Sequence, residues 1–242
     1  MVGLFIYPSL LPQEVQLQLL AKSFYRDLSD PQHQTNVHMF HHVTYPPERD
    51  SYFATSAKDL IFKPKDPAVH KPITIQQYLT KKLRWITLGG QYDWTKKVYP
   101  DGPPPAFPPD IKSLVESLFP MKAEAAIVNL YSPGDTLSLH RDVSEECDQP
   151  LASISLGCDG IFVIGLDGVE PGEPARVATL RLRSGDAVLM SGESRYAWHS
   201  VPKILEGTCP PWMQQWPGSE WQQWNGWMER KRINLNVRQM FD

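Results

Sequence analysis

The sequence predicts an α+β protein whose second half is a double-stranded β-helix, or jelly roll. Three observations carry this expectation. Eight short strand-like runs, separated by turn residues, follow one another from residue 125 onward. An amphipathic helical pattern occupies residues 12 to 28. Hydrophobic residues make up 41% of the chain against 21% charged, an ordinary balance for a sizeable core. A β-rich chain of 242 residues commonly stays a single domain. We therefore take 1–242 as one domain, with helices and connections over 1–124 and the jelly roll over 125–242, interrupted by a Trp-rich insertion at 206–230.

The elements follow in order. Leu4-Phe5-Ile6-Tyr7 is a short apolar strand, and Pro8 to Pro12 turns into a helix on which Val15, Leu19, Leu20 and Phe24 recur at helical spacing. Residues 29 to 72 are rich in Pro, His, Asp and Lys with little periodicity, and read as a loop. His33, His38, His41 and His42 raise a second metal site there, but nothing fixes a coordination geometry and exposed loop histidines are the commoner state. Pro72 to Leu79 has helical promise, and Pro100 to Pro109 is a linker before a helix striped by Ile111, Leu114, Val115 and Leu118. Strands are expected at 125–131, 137–142, 151–157, 160–165, 177–183, 187–191, 197–201 and 232–238. Within the insertion, Trp221, Trp224 and Met228 have helical spacing, so a short helix packing on the barrel is expected there.

Composition excludes several classes. With 24 basic and 27 acidic residues there is no global attraction to nucleic acid, so such binding needs a local patch. One is available: from 81 to 99, Lys81, Lys82, Arg84, Lys96 and Lys97 stand against Asp93 alone, interleaved with Trp85, Tyr92, Trp94 and Tyr99. Basic side chains meet phosphates and aromatic rings stack on bases, although a solvated hairpin with its aromatics partly in the core reads the same way. Cys147, Cys158 and Cys209 show neither a disulfide framework nor C-x-x-C spacing, which favours a reducing compartment. No apolar run reaches the length of about 18 residues that spans a bilayer, and no secretory signal pattern opens the chain.

The chemistry concentrates in a few residues. In a strand His140 and Asp142 share a face while Arg141 points away, giving a mixed N/O pair. His199 would complete a 2-His-1-carboxylate set with open positions on non-heme Fe(II). Alone, His-x-Asp is also what a surface turn beside an acidic loop looks like. Near the C-terminus Arg232, Asn234, Asn236 and Arg238 alternate with Ile233, Leu235 and Val237, and upstream Asn129 and Tyr131 share a strand face. An arginine, an asparagine and a tyrosine together suit a dicarboxylate.

In this order, Asn129-x-Tyr131, His140-x-Asp142, His199 and Arg232-x-Asn234-x-x-x-Arg238 resemble the AlkB family of Fe(II) and 2-oxoglutarate dioxygenases. The flanks Lys82 to Gly89, Ala123-Glu124-Ala125 and Ser184 to Gly192 look most like its eukaryotic homologue-1 branch. The resemblance implies that His140, Asp142 and His199 hold Fe(II), used with 2-oxoglutarate and O2. It implies that Arg232 holds the far carboxylate of 2-oxoglutarate, with Asn129, Tyr131 and Asn234 completing that pocket and Arg238 near the metal end. It makes the segment carrying Trp85, Tyr92, Trp94, Lys96, Lys97 and Tyr99 a nucleotide-recognition lid. It places Ser144 and Glu145 beside the substrate base, where the bacterial branch has an acidic residue two positions after the Asp ligand. The implied activity is oxidative demethylation of an N-methylated nucleobase, 1-methyladenine above all, in RNA, tRNA especially, or in unpaired DNA, by an intracellular monomer in nucleus, cytoplasm or mitochondrion. A 2-oxoglutarate oxygenase for protein or small-molecule substrates is the competing reading, since this fold hosts many chemistries.

Overall fold

The computed structural model describes residues 1–93, 99–100, 103–143, 145, 147–168 and 173–241. Five strands precede residue 125: β1 (Leu4–Tyr7), β2 (His41–His42), β3 (Ile61–Pro64), β4 (Ile73–Thr74) and β5 (Trp85–Gly89). Then follow β6 (Ala125–Tyr131), β7 (Leu137–His140), β8 (Leu151–Gly157), β9 (Gly160–Leu166), β10 (Arg176–Leu182), β11 (Ala187–Met190), β12 (Trp198–Ile204) and β13 (Arg232–Arg238). All eight strands expected after residue 125 are therefore present, and three of them (β6, β8 and β13) keep the expected bounds.

Two antiparallel sheets carry the site. The larger has the order β1-β11-β8-β13-β6-β5 and the smaller β10-β9-β12-β7, while β2, β3 and β4 form a separate small sheet. Strand β13 lies between β8 and β6, with Arg232 opposite Gly157 and Tyr131, Asn234 opposite Ser155 and Asn129, and Arg238 opposite Leu151 and Ala125. This register sorts the sheet by face. Ile233, Leu235 and Val237 are buried among Val128, Leu130, Ile154 and Leu156, each such side chain contributing about 1.5–3 kcal/mol on leaving water. The polar residues of β13 face the smaller sheet, across a cavity of about 440 Å³ lined from both sheets.

The helix Gln13–Ala21 runs on through a π turn, Lys22–Arg26, and a 3-10 turn, Asp27–Ser29, so helical backbone covers the expected span. The helix Pro109–Leu118 buries Ile111 and Val115 as its spacing predicts. Two expectations need correction. Residues 29 to 72 are not an open loop: they build the small sheet and bury Tyr52, Phe53 and Phe62 completely. Their histidines do not converge on a metal either, since His33 bonds to Asp27 O, His38 to Tyr45 Oη and His41 to Lys71 O. The helix expected across Trp221, Trp224 and Met228 is absent, replaced by one turn at Gln222–Trp224. Pro217 intervenes just before, and Gly218 (φ +72°) and Gly226 (φ +87°) take left-handed backbone that a helix excludes. The insertion is nevertheless packed: Trp216 stacks on Tyr25 at 5.1 Å, and Trp227 Nε1 donates to Leu79 O at 2.9 Å.

Candidate metal and co-substrate site

Two strand ends make the metal-binding face. His140 closes β7, His199 sits in the neighbouring β12, and the two are register partners, with ring centroids 4.3 Å apart. Asp142 follows in the loop after β7, its Oδ1 3.7 Å from His140 Nε2 and its Oδ2 4.0 Å from His199 Nε2. All three ligand atoms lie within 4.8 Å of one another, and no other such group of three exists among the described residues. Each imidazole is oriented by its other nitrogen: His140 Nδ1 donates to Ser138 O at 2.8 Å and His199 Nδ1 to Ala197 O at 3.1 Å. That hydrogen bond fixes the tautomer which turns the Nε2 lone pair toward a metal.

The electrostatics prepare the same ligands. Burial alone would raise the Asp142 carboxyl, but the Arg238 guanidinium, with His199 and His140 beside it, holds it well below the usual carboxylate range. Burial pushes His199 down, keeping its imidazole neutral. Deprotonated ligands are what a divalent metal requires.

A closed ring of contacts holds Asp142 from both ends. Arg238 Nη2 donates to Asp142 Oδ2 at 2.8 Å, and Arg238 Nε stands 3.0 Å from Glu145 Oε1. Arg195 Nη2 donates to the other Glu145 oxygen at 2.8 Å, and Arg195 Nη1 returns to the Asp142 backbone carbonyl at 2.9 Å. The Arg195 side chain is 1% exposed and that of Glu145 3%.

At the other end of the polar face, Arg232 is fully enclosed. Its Nη2 donates to Ser155 Oγ at 3.0 Å, while Nε, Nη1 and the neighbouring Tyr131 hydroxyl have no hydrogen-bond partner in the protein. Burial lowers the Arg232 pKa, and Tyr131 and Asp159 oppose it only in part. Gly160 makes this possible, because a Cβ there would stand 2.6 Å from Arg232 Nε. An orphaned guanidinium fork beside a phenol fits one end of a small dicarboxylate. Asn129, Ser153, Asn234 and Asn236 line the wall between it and the metal ligands. Part of Asn234 is already committed, its Nδ2 donating to Ser153 Oγ at 2.7 Å.

The residues expected to meet substrate divide three ways. Tyr92 and Tyr99 line the cavity, their rings edge to face at 5.3 Å. Trp94, Lys96, Lys97 and Ser144 lie outside the described residues. Trp85 is the register partner of Asn129 on the edge strand β5 but does not line the cavity, whereas Glu145 lines it with its carboxylate ion-paired to Arg195 and Arg238. Sequence reasoning missed Arg195, Gly160 and Ser155. The alternation Ser153-x-Ser155 opposite the polar residues of β13 is a signal for the serine, whereas Arg195 has none, its partners being 46 to 53 residues away.

A pocket built to hold a divalent metal at one end and a dicarboxylate at the other defines the 2-oxoglutarate oxygenase class, and the model for the 2OG-Fe(II) oxygenase superfamily matches residues 36–238. The chain is 51% identical, over 98% of its own length and 74% of the relative's, to the N6-methyladenosine RNA demethylase ALKB1 of Pyricularia oryzae. It is 41% identical, over 98% of its length and 79% of the relative's, to the tRNA demethylase abh1 of Schizosaccharomyces pombe. With such similarity over nearly the whole chain, the protein belongs to the AlkB family of Fe(II)- and 2-oxoglutarate-dependent dioxygenases. The solved structure of OsALKBH1 shares the fold, with a TM-score of 0.61 over 98% of this chain and 96% of that one at 19% identity.

Proposed function

We propose that this dioxygenase oxidatively demethylates N-methylated nucleobases, 1-methyladenine among them, in RNA, tRNA in particular, or in unpaired DNA. The observation that carries the reading is the path of the cavity: it runs from the His140, Asp142 and His199 ligands to walls that include the Tyr92–Tyr99 pair. A planar base taken out of its stack can enter such an opening with its edge toward the metal and its face against aromatic rings. The demethylases of RNA and tRNA among its relatives support the same substrate class. A nucleic-acid substrate also implies an intracellular setting, in nucleus, cytoplasm or mitochondrion, and we take the working unit as a monomer.

When bound, Fe(II) with 2-oxoglutarate and O2 supplies the oxidation of a C–H bond, releasing succinate and CO2; an N-methyl group hydroxylated in this way leaves as formaldehyde. The protein supplies the placement. His140, Asp142 and His199 would hold the metal. Ser138 O and Ala197 O keep the Nδ1 protons in place. Arg232, Tyr131, Asn129 and Asn234 receive the far carboxylate of 2-oxoglutarate, and Arg238 fixes Asp142. Ile127, Leu151, Phe162, Val188 and Met190 form the apolar part of the cavity wall and exclude water from it.

The test is succinate release under Fe(II), 2-oxoglutarate and ascorbate, with and without a short single-stranded RNA carrying 1-methyladenine, the base being read by mass spectrometry. RNA-stimulated succinate together with loss of one CH2 per base is expected. Succinate without demethylation of any methylated base would leave the alternative, hydroxylation of a protein or small molecule, which the net charge of −3 mildly favours.

A further inference from the structure

We propose that Arg141, seated on the Trp198 indole at the rim of the cavity, forms a subsite for a phosphodiester of the strand whose base enters. This rests on the nucleobase reading above and adds a contact that neither the family motif nor the metal geometry assigns.

Arg141 lies between two metal ligands and borders the cavity, with its guanidinium over the Trp198 ring. The His199–His140 register brings Trp198 beside Arg141, the residue just past the end of the edge strand β7, and the guanidinium carbon stands 4.7 Å from the indole centroid. An aromatic face orients a cation without neutralising it. The described acidic neighbours do not neutralise it either. Asp142 and Glu145 are turned inward onto Arg238 and Arg195, Asp148 accepts from the Tyr196 hydroxyl, and no described carboxylate forms an ion pair with Arg141. Of the arginines bordering the cavity, Arg232 and Arg238 are buried and Arg141 is exposed.

The substrate's chemistry matches this arrangement. A base that reaches the metal leaves its sugar and flanking phosphates outside, at the rim. Each phosphodiester carries one negative charge and two oxygens that a guanidinium fork can take in parallel. A chain with net charge −3 cannot attract such a strand globally, so a cation already held in place at the mouth has a large share in the encounter.

The experiment measures binding of a fluorescein-labelled single-stranded RNA carrying 1-methyladenine by anisotropy over a range of salt concentrations. Mn(II) replaces Fe(II), with 2-oxoglutarate present, so that no turnover occurs. For Arg141→Gln the slope of log Kd against log salt should fall by about 0.7, the contribution of one phosphate on a single strand, and Arg141→Lys should restore it. Calorimetric titration of 2-oxoglutarate into the Mn(II)-loaded variants reports whether the adjacent ligands are disturbed; if Arg141→Gln is disturbed, Arg141→Ala compared with Arg141→Lys supplies the slope. A wild-type slope in the charge-removed variant would overturn the subsite while leaving the demethylase reading intact. Wild-type protein that forms succinate but neither binds nor demethylates the RNA would overturn both.

Discussion

Removing the Glu145 carboxylate distinguishes a buried support from a substrate contact. The carboxylate lies 2.8 Å from Arg195 Nη2 and 3.0 Å from Arg238 Nε, at 3% side-chain exposure. At an effective dielectric constant of about 20, each contact represents about 5–6 kcal/mol of attraction, most of which offsets the desolvation of the three charges. Glu145→Gln keeps the shape and removes the charge, leaving Arg238 with the Asp142 carboxylate and the buried Arg195 guanidinium with backbone carbonyls and a neutral amide. The expected cost is about 3–5 kcal/mol, as for one partner removed from a buried ion pair. For a chain of this size that lowers Tm by roughly 6–20 °C. Urea unfolding without metal reads the stability, and Mn(II) titration reads the ligand geometry. Both should worsen, because Arg238 and Arg195 hold the two ends of Asp142. A variant with wild-type stability and metal affinity but weakened RNA binding would refute this reasoning and return Glu145 to the substrate face.

Other substitutions test other parts of the site. His140→Ala or Asp142→Ala should abolish succinate formation while the protein still melts cooperatively; an active variant would end the metal assignment. Arg232→Met should remove 2-oxoglutarate binding, seen as loss of the roughly 2.7 kcal/mol that a hundredfold excess over Kd adds to wild-type stability. Gly160→Ala should raise the KM for 2-oxoglutarate by displacing the Arg232 guanidinium, with a much smaller effect on metal affinity. Lys231 gives a pH test. Burial, opposed by Asp135, pushes its pKa from 10.5 down to about 8, so between those values the unfolded chain binds more protons and stability should rise with pH. Lys231→Met should flatten that rise and add up to about 3 kcal/mol near pH 7, as read by urea unfolding at a series of pH values.

Legibility in the sequence followed local periodicity. β6, β8 and β13 were readable to the residue because apolar side chains of the core face alternate with polar ones that line the cavity, most clearly along β13. The expected strand at 197–201 falls short of β12, which runs to Ile204 past irregular pairing on both sides. The aromatic spacing in the insertion misled for the opposite reason. Trp216 and Trp227 are placed by contacts with Phe24, Tyr25 and Phe53, nearly two hundred residues away in the chain, rather than by a local repeat. The candidate metal ligands and the arginine proposed for the co-substrate were legible because they come as an ordered motif. The ring through Arg195 and Glu145 was not, since a buried charge is explained only by its distant partner.

The placement of β13 in mid-sheet makes residue count itself a constraint. Adding or deleting one residue between Arg232 and Arg238 would invert the faces of everything beyond it, pressing a guanidinium into the apolar layer and turning a valine toward the metal end. The segment ending at Arg230 is under no such parity rule, because its buried Met213, Trp216 and Trp227 are held by side-chain packing and not by pairing in a sheet. The chain thus passes within two residues from a stretch placed by packing to one where residue count behaves as a reading frame. Relatives of this protein should accordingly show hardly any change of length between Arg232 and Arg238.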